Sequence, residues 1–278
     1  MADQPTTARP QTGFAPLAIR RDSEIYAAAG GWFRARWHFS FDEYRDPQHM
    51  GIGTLRVFNH DTLVPGAHWP MHPHRDVEGI SYIPAGEFEH ADDMGNDGVL
   101  LAGGVQRMTL GSGAYHSERN HSETQEVQFI QMWIMPSERG LPPSVEQRQY
   151  GEEDRRNRLL QILRPVGTQG DGVTVHQDVR MLVSRLEPGV SLEHEFNEGR
   201  GGYFYLISGE AEVNRERFRT GDAAYVRGAG RLAVTGVEVS ELIFVDTPLS
   251  SDGGLPSMMP PEGGRPEAWL IPRLSRAF

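Results

Sequence analysis

The chain has no cysteine among its 278 residues. Disulfides, thiolate nucleophiles, cysteine-ligated zinc and iron–sulfur clusters are therefore excluded, and any metal has to be held by His, Asp or Glu. No apolar run approaches the ~18–20 residues of a membrane-spanning helix, so no membrane partner is expected. The stretch from Met1 to Arg20 shows no basic segment leading into an apolar core. The expectation is a cytoplasmic protein without a secretory signal. Cationic charge is also short: 27 Lys and Arg face 38 Asp and Glu, for a net charge of −11. That balance argues against nucleic acid as a partner, because binding it needs a cationic face that displaces counterions from phosphates. Arg155, Arg156 and Arg158 form a short basic cluster, read as a solvated linker face. Helical periodicity is scarce, and 145–161 is where a short helix or irregular linker is expected.

What the chain has in quantity is turn residues. Thirty-two glycines and nineteen prolines separate short runs rich in β-branched and aromatic residues. These runs lie at 53–58, 79–83, 127–134, 203–207 and 241–245. Many short strands with frequent turn signals predict an all-β fold, a sandwich or barrel. The segment Tyr82-Ile-Pro-Ala-Gly-Glu-Phe-Glu-His90 is echoed by Tyr205-Leu-Ile-Ser-Gly-Glu-Ala-Glu-Val213, each a strand, a glycine turn and a second strand. Each copy is followed by a further glycine turn, at Gly103-Gly104 and Gly221-Asp222. A spacing of about 120 residues is too long for a solenoid or a propeller blade and fits two copies of one β-domain. The join is placed near 150–165, giving domains of 1–150 and 151–278. The apolar end Ala268-Trp-Leu-Ile-Pro272 of the last segment is expected to fold back onto a barrel.

Seven of the eleven histidines fall between His60 and His121. His60, His68, His90 and His121 read as loop or surface residues. His72 and His74 differ, because the proline between them holds the backbone extended and residues i and i+2 of a strand share a face. His116 and Glu118, about forty residues on, repeat that spacing after the glycine-rich turn at 111–113. Two such strands facing each other put three imidazoles and one carboxylate around one ion. An ion accepting five or six ligands then keeps one or two positions for a substrate.

The stretch Gly66 to Asn120 resembles a cupin. Gly66, His72 and His74 make a G-x5-H-x-H motif; Gly113, His116 and Asn120 make G-x2-H-x3-N. More narrowly the chain resembles the pirin family. The segments carrying this are His72-Pro-His-Arg75, Gly86-Glu-Phe-Glu-His90, Gln106-Arg-Met-Thr109, His116-Ser-Glu118, Gln131-Met-Trp-Ile134, Gly140-Leu-Pro-Pro143 and Glu146-Gln147. The likeness is close over 50–150 and loose elsewhere. It implies tandem cupin barrels, with one divalent transition metal held by His72, His74, His116 and Glu118 in the first. Iron(II) is the usual ion; zinc, manganese, nickel, cobalt and copper suit the same donors. Bacterial members are associated with quercetin 2,3-dioxygenase activity, which cleaves a flavonol with dioxygen and releases carbon monoxide. Animal members are described as iron-dependent, redox-responsive regulatory proteins acting through protein partners, which gives the alternative function.

Two positions depart from the cupin pattern. The acidic residue expected after His74 is matched only by Glu78, out of register by one, so Glu118 is assigned as the carboxylate ligand and Glu78 is kept as its outer support. Gly111 replaces the second motif's proline. The second repeat has His194 but no counterpart to His116, so it is expected to carry no metal site. Its Leu192-Glu-His-Glu-Phe196 reads as a solvated charged loop. On the enzymatic reading, the partners are a small aromatic substrate and dioxygen, and Glu118 is the group that takes the substrate's hydroxyl proton. Met108, Phe129 and Trp133 are either barrel core or the walls of a flat pocket. Two fused barrels supply the pairing that single cupins obtain by dimerising, so a monomer is expected.

Overall fold

The computed structural model describes residues 13–249. Four of the five apolar runs lie wholly in strands, Glu78–Ala85, Val127–Ile134, Arg200–Ser208 and Ser240–Pro248, and the run at 53–58 enters the strand Leu55–Leu63 after a turn at Gly53-Thr54. Strand accounts for 59% of the described residues and helix for 3%, arranged as two cupin domains. Each half pairs a seven-stranded sheet with a four-stranded one. In the first half Leu63, Val127 and Phe129 of the large sheet pack on Phe88 and Leu100 of the small sheet. Phe204, Leu242 and Phe244 meet Val213, Phe218 and Leu232 in the same way in the second.

The two large sheets also pack against each other. Phe58, Ile80, Tyr82 and Met132 of the first share one buried cluster with Val183, Tyr203, Tyr205 and Ile243 of the second. Both faces of these sheets are therefore covered, which is why strands such as Arg200–Ser208 and Ser240–Pro248 carry apolar residues at consecutive positions. The repeat maps onto equivalent turns. Gly86 and Gly209 have φ of +86° and +89°, and a Cβ there would lie 2.5 and 2.4 Å from the carbonyl oxygens of Glu126 and Val239. Only glycine fits both constraints.

Several readings of the sequence are corrected. The opening strand Leu17–Arg20 adds to the second barrel's sheet, with Leu17 opposite Val226. Within 145–161 the expected short helix is present as the single turn Glu152–Arg155, but Ser144–Gln149 before it is a strand and a further strand begins at Leu160. Arg155 is not on a solvated face but buried, with Nη1 2.5 Å from Tyr82 Oη and 2.7 Å from Glu241 Oε1. The segment Leu192–Phe196 is not a loop: it lies in the strand Ser191–Phe196, where His194 Nε2 bonds Asp246 and the ring packs on Phe196 and Phe244. Residues 268–272 lie outside the described residues. No helix among those described is long and apolar enough to cross a membrane.

Histidine–tyrosine pairs cross the interface: His38 to Tyr203 at 2.9 Å, His60 to Tyr205 at 2.7 Å and His49 to Tyr225 at 2.9 Å. His60 is thus an interface residue, its other nitrogen 3.1 Å from Gln128 Oε1. Burial lowers its pKa to about 4; the Gln128 bond opposes this and Arg34 and Arg36 add to it. An unfolded histidine titrates near ~6.5. Between those values the unfolded chain binds the proton and the folded chain does not, so stability is complete above ~6.5 and declines towards pH 4 by up to about 1.4 kcal/mol per unit. Urea midpoints at pH 7.5, 6 and 5 are expected to fall more steeply for the native protein than for His60→Gln.

Candidate metal centre

The strands His68–His74 and Ala114–Asn120 run antiparallel with His116 directly opposite His72 and Ala114 opposite His74. His72 and His74 share a face because Pro73 keeps the intervening backbone extended. Between His116 and Glu118 the register slips, so Glu118 faces Trp69. This is a β-bulge, a device that re-aims side chains at sites. The ring centroids of His72, His74 and His116 lie 4.4–5.2 Å apart. Their nearest ligand nitrogens fall within 4.8 Å of one another, and among the described residues no other group of three potential ligands does so. Glu118 stands beside this triad, its Oε1 3.3 Å from His116 Nδ1.

The protonation pattern fits a metal. His72 Nδ1–H donates to the Pro70 carbonyl at 2.8 Å, which leaves the Nε2 lone pair free. Both ring nitrogens of His116 are buried without a hydrogen-bond partner, an expensive arrangement unless something else uses a lone pair. Burial, reinforced by His72, pushes His74 down to about 3; burial and the neighbouring histidines hold His116 well below the usual range, and burial also lowers His72. All three are neutral, the form that binds a metal. Burial pushes Glu118 up to about 8, and burial with the Glu118 charge raises Asp61 well above the usual carboxylate range. A cation here would draw both carboxyls back down. Three nitrogens and an adjacent carboxylate suit a first-row transition ion without selecting which.

The triad opens onto a cleft enclosing about 440 Å³, part of it solvent, lined also by Phe41, Trp69, Phe129, Trp133, Asn59, Asp61 and Gln131. Phe129 and Trp133 are therefore walls, whereas Met108 sits in a separate core cluster with Val77 and Leu110. Asn59, Asp61 and Gln131 escaped the sequence reading. Both Asn59 and Asp61 fall within the polar run Asn59-His-Asp-Thr62, which gives no local sign of which side chains face a site, and Gln131 faces Asn59 on the neighbouring strand.

Glu78 does not support Glu118. Its carboxylate accepts from Thr109 Oγ1, His176 Nδ1 and the His176 backbone N–H, each at 2.8 Å, and so ties the two halves together. His90 is not a surface residue either: it is buried, bonded to Asp92 at 3.3 Å and Gln106 at 3.2 Å, with its ring 5.9 Å from that of His116. His68 and His121 are exposed, as expected.

Two packed barrels with histidines converging in the first define a bicupin. The chain belongs to the pirin family. Residues 20–134 match the family model described as Pirin, and 162–247 match the one described as Quercetinase C-terminal cupin domain. A pirin-like protein of Caulobacter vibrioides is 35% identical over 80% of this chain and 96% of its own length. The quercetin 2,3-dioxygenase of Escherichia coli K12 is 33% identical over 84% of this chain and 99% of its own. The crystal structure of the bacterial pirin YhhW from Escherichia coli, in complex with nickel(II), superposes with a TM-score of 0.78. That match has 31% identity and covers 84% of this chain and 99% of that one.

Proposed function

We propose that this protein is a metal-dependent dioxygenase that cleaves flavonols such as quercetin with dioxygen, using one divalent transition ion, iron(II) by preference. His72, His74 and His116 would hold the ion and Glu118 would complete the set. The observation that carries this reading is three neutral imidazoles with unspent lone pairs converging beside a buried carboxyl group at an aromatic-walled cleft. The nickel complex of a bacterial pirin and the name quercetin 2,3-dioxygenase carried among the relatives support it. Bound there, the ion supplies Lewis acidity to a substrate oxygen. The chain supplies the rest. Glu118, adjacent to His116, is placed to take the flavonol hydroxyl proton. Phe41, Trp69, Phe129 and Trp133 hold a flat ring and keep water from it. We place the join between the two domains at 150–151, with the opening strand crossing it, and read the protein as a cytoplasmic monomer.

Purified protein loaded anaerobically with iron(II) and then given quercetin under air is expected to bleach the flavonol absorbance and release carbon monoxide. Under the same conditions His72→Ala is expected to fall to background. Equal bleaching by the two proteins would remove the reading.

A further inference from the structure

Asn59 and Asp61 are buried, with 2% and 4% of their surface exposed, yet Asn59 Oδ1 and Asp61 Oδ1 have no hydrogen-bond partner. Both line the cleft that holds the histidine triad. They project from one face of the strand Leu55–Leu63, because they are two residues apart. They face Gln131 and Phe129 respectively on the strand Val127–Ile134. The amide oxygen of Gln131 already accepts from Ser81 Oγ at 2.7 Å. No ion pair reaches Asp61, and Glu118 adds only repulsion. Folding rarely leaves acceptors in this state, since each keeps its full desolvation cost. Two of them on one face, lining a site walled by aromatic rings, are acceptors held for a ligand's donors. In either protonation state a carboxyl group keeps an oxygen that accepts.

We infer that Asn59 and Asp61 recognise hydroxyl groups of the substrate, so the cleft selects flat aromatic molecules that carry several hydroxyls over those with one. This rests on the dioxygenase reading for the choice of flavonols, but not for the recognition itself. A site built to bond hydroxyls discriminates strongly against an analogue that lacks them, because its own polar groups are then left unpaired.

The test uses nickel-loaded protein without oxygen, with quenching of Trp69 and Trp133 fluorescence as the binding signal. Quercetin is compared with 3-hydroxyflavone, which keeps the flavonol 3-hydroxyl and ketone but lacks the other hydroxyls. The native protein is expected to prefer quercetin by about tenfold or more. Asp61→Leu combined with Asn59→Leu is expected to bring that preference to within about twofold. Nickel content should be unchanged, and Tm should be equal or higher because two unpaired buried groups are gone. A preference that survives the double substitution overturns the inference. So does loss of nickel, which would make Asp61 a ligand, or a lower Tm with equal loss of both ligands, which would make the pair structural. Selective binding without any turnover under air would remove the dioxygenase reading and leave the recognition standing. Turnover of both flavonols with an unaltered ratio in the variant would do the reverse. Binding of neither flavonol would remove both.

Discussion

Substitution of His116 by alanine is expected to abolish metal retention: protein desalted after loading should hold about one ion per chain natively and close to none in the variant. His116 is the most deeply buried ring of the triad. It packs 4.4 Å from His72 and 5.2 Å from His74, and neither of its nitrogens has a hydrogen-bond partner. Loss of a residue that merely orients a ligand costs about 10–100-fold in affinity, so loss of a ligand should exceed that. The same change should erase the thermal protection given by added metal. An ion present at 1,000 times its Kd stabilises the native state by ~4.1 kcal/mol, and a hundredfold weaker site by only ~1.4 kcal/mol. Without metal the variant should unfold close to the native midpoint, since the ring it lacks satisfied no hydrogen bond. Stoichiometric metal in a His74→Ala, His116→Ala double variant would remove the centre altogether.

The triad was legible in the sequence because two short spacings encode a local fact: in a strand, i and i+2 face the same way. The same rule made the strands themselves visible, and the repeat of Gly86 in Gly209 exposed the duplication. What stayed hidden was non-local. His60, His90 and Arg155 looked like surface residues because each is polar and next to a charged residue in sequence. Their partners Tyr205, Gln106 and Glu241 lie 145, 16 and 86 residues away. Glu78 was misread for the same reason, its carboxylate being claimed by His176 from the other half. The crossing of Leu17–Arg20 into the second sheet depends on an edge at Ala223–Val226 that no local pattern announces. Asn59 and Asp61 were hidden in the same way, since they sit in the polar run Asn59-His-Asp-Thr62 and only the pairing with Gln131 and Phe129 on the next strand sets them in the cleft.

Removing the carboxylate of Glu241 is expected to be among the most damaging changes outside the metal centre. Tyr82 from the first barrel, Arg155 from the linking helical turn and Glu241 from the second barrel meet in one buried cluster. The Tyr82 hydroxyl donates to Glu241 at 2.5 Å, and Arg155 reaches the same oxygen at 2.7 Å. Burial raises the pKa of Glu241, and Arg155 with the Tyr82 hydroxyl opposes that rise. Glu241→Ala leaves a guanidinium sealed between the barrels without its counter-ion, at a cost of about 3–5 kcal/mol, a large share of the 5–15 kcal/mol typical of a folded domain. The exposed pair Arg34–Glu126 is the control: breaking it should cost no more than about 1 kcal/mol. If unpaired charge is the cause, Arg155→Met with Glu241→Leu should recover most of the loss, because apolar groups of similar size replace a buried ion pair at little cost. A double variant as unstable as Glu241→Ala would instead assign the cluster a role in shape. Metal content separates this result from the first. All three imidazoles lie on the small sheet of the first barrel, so Glu241→Ala should bind its ion normally below its lowered melting point.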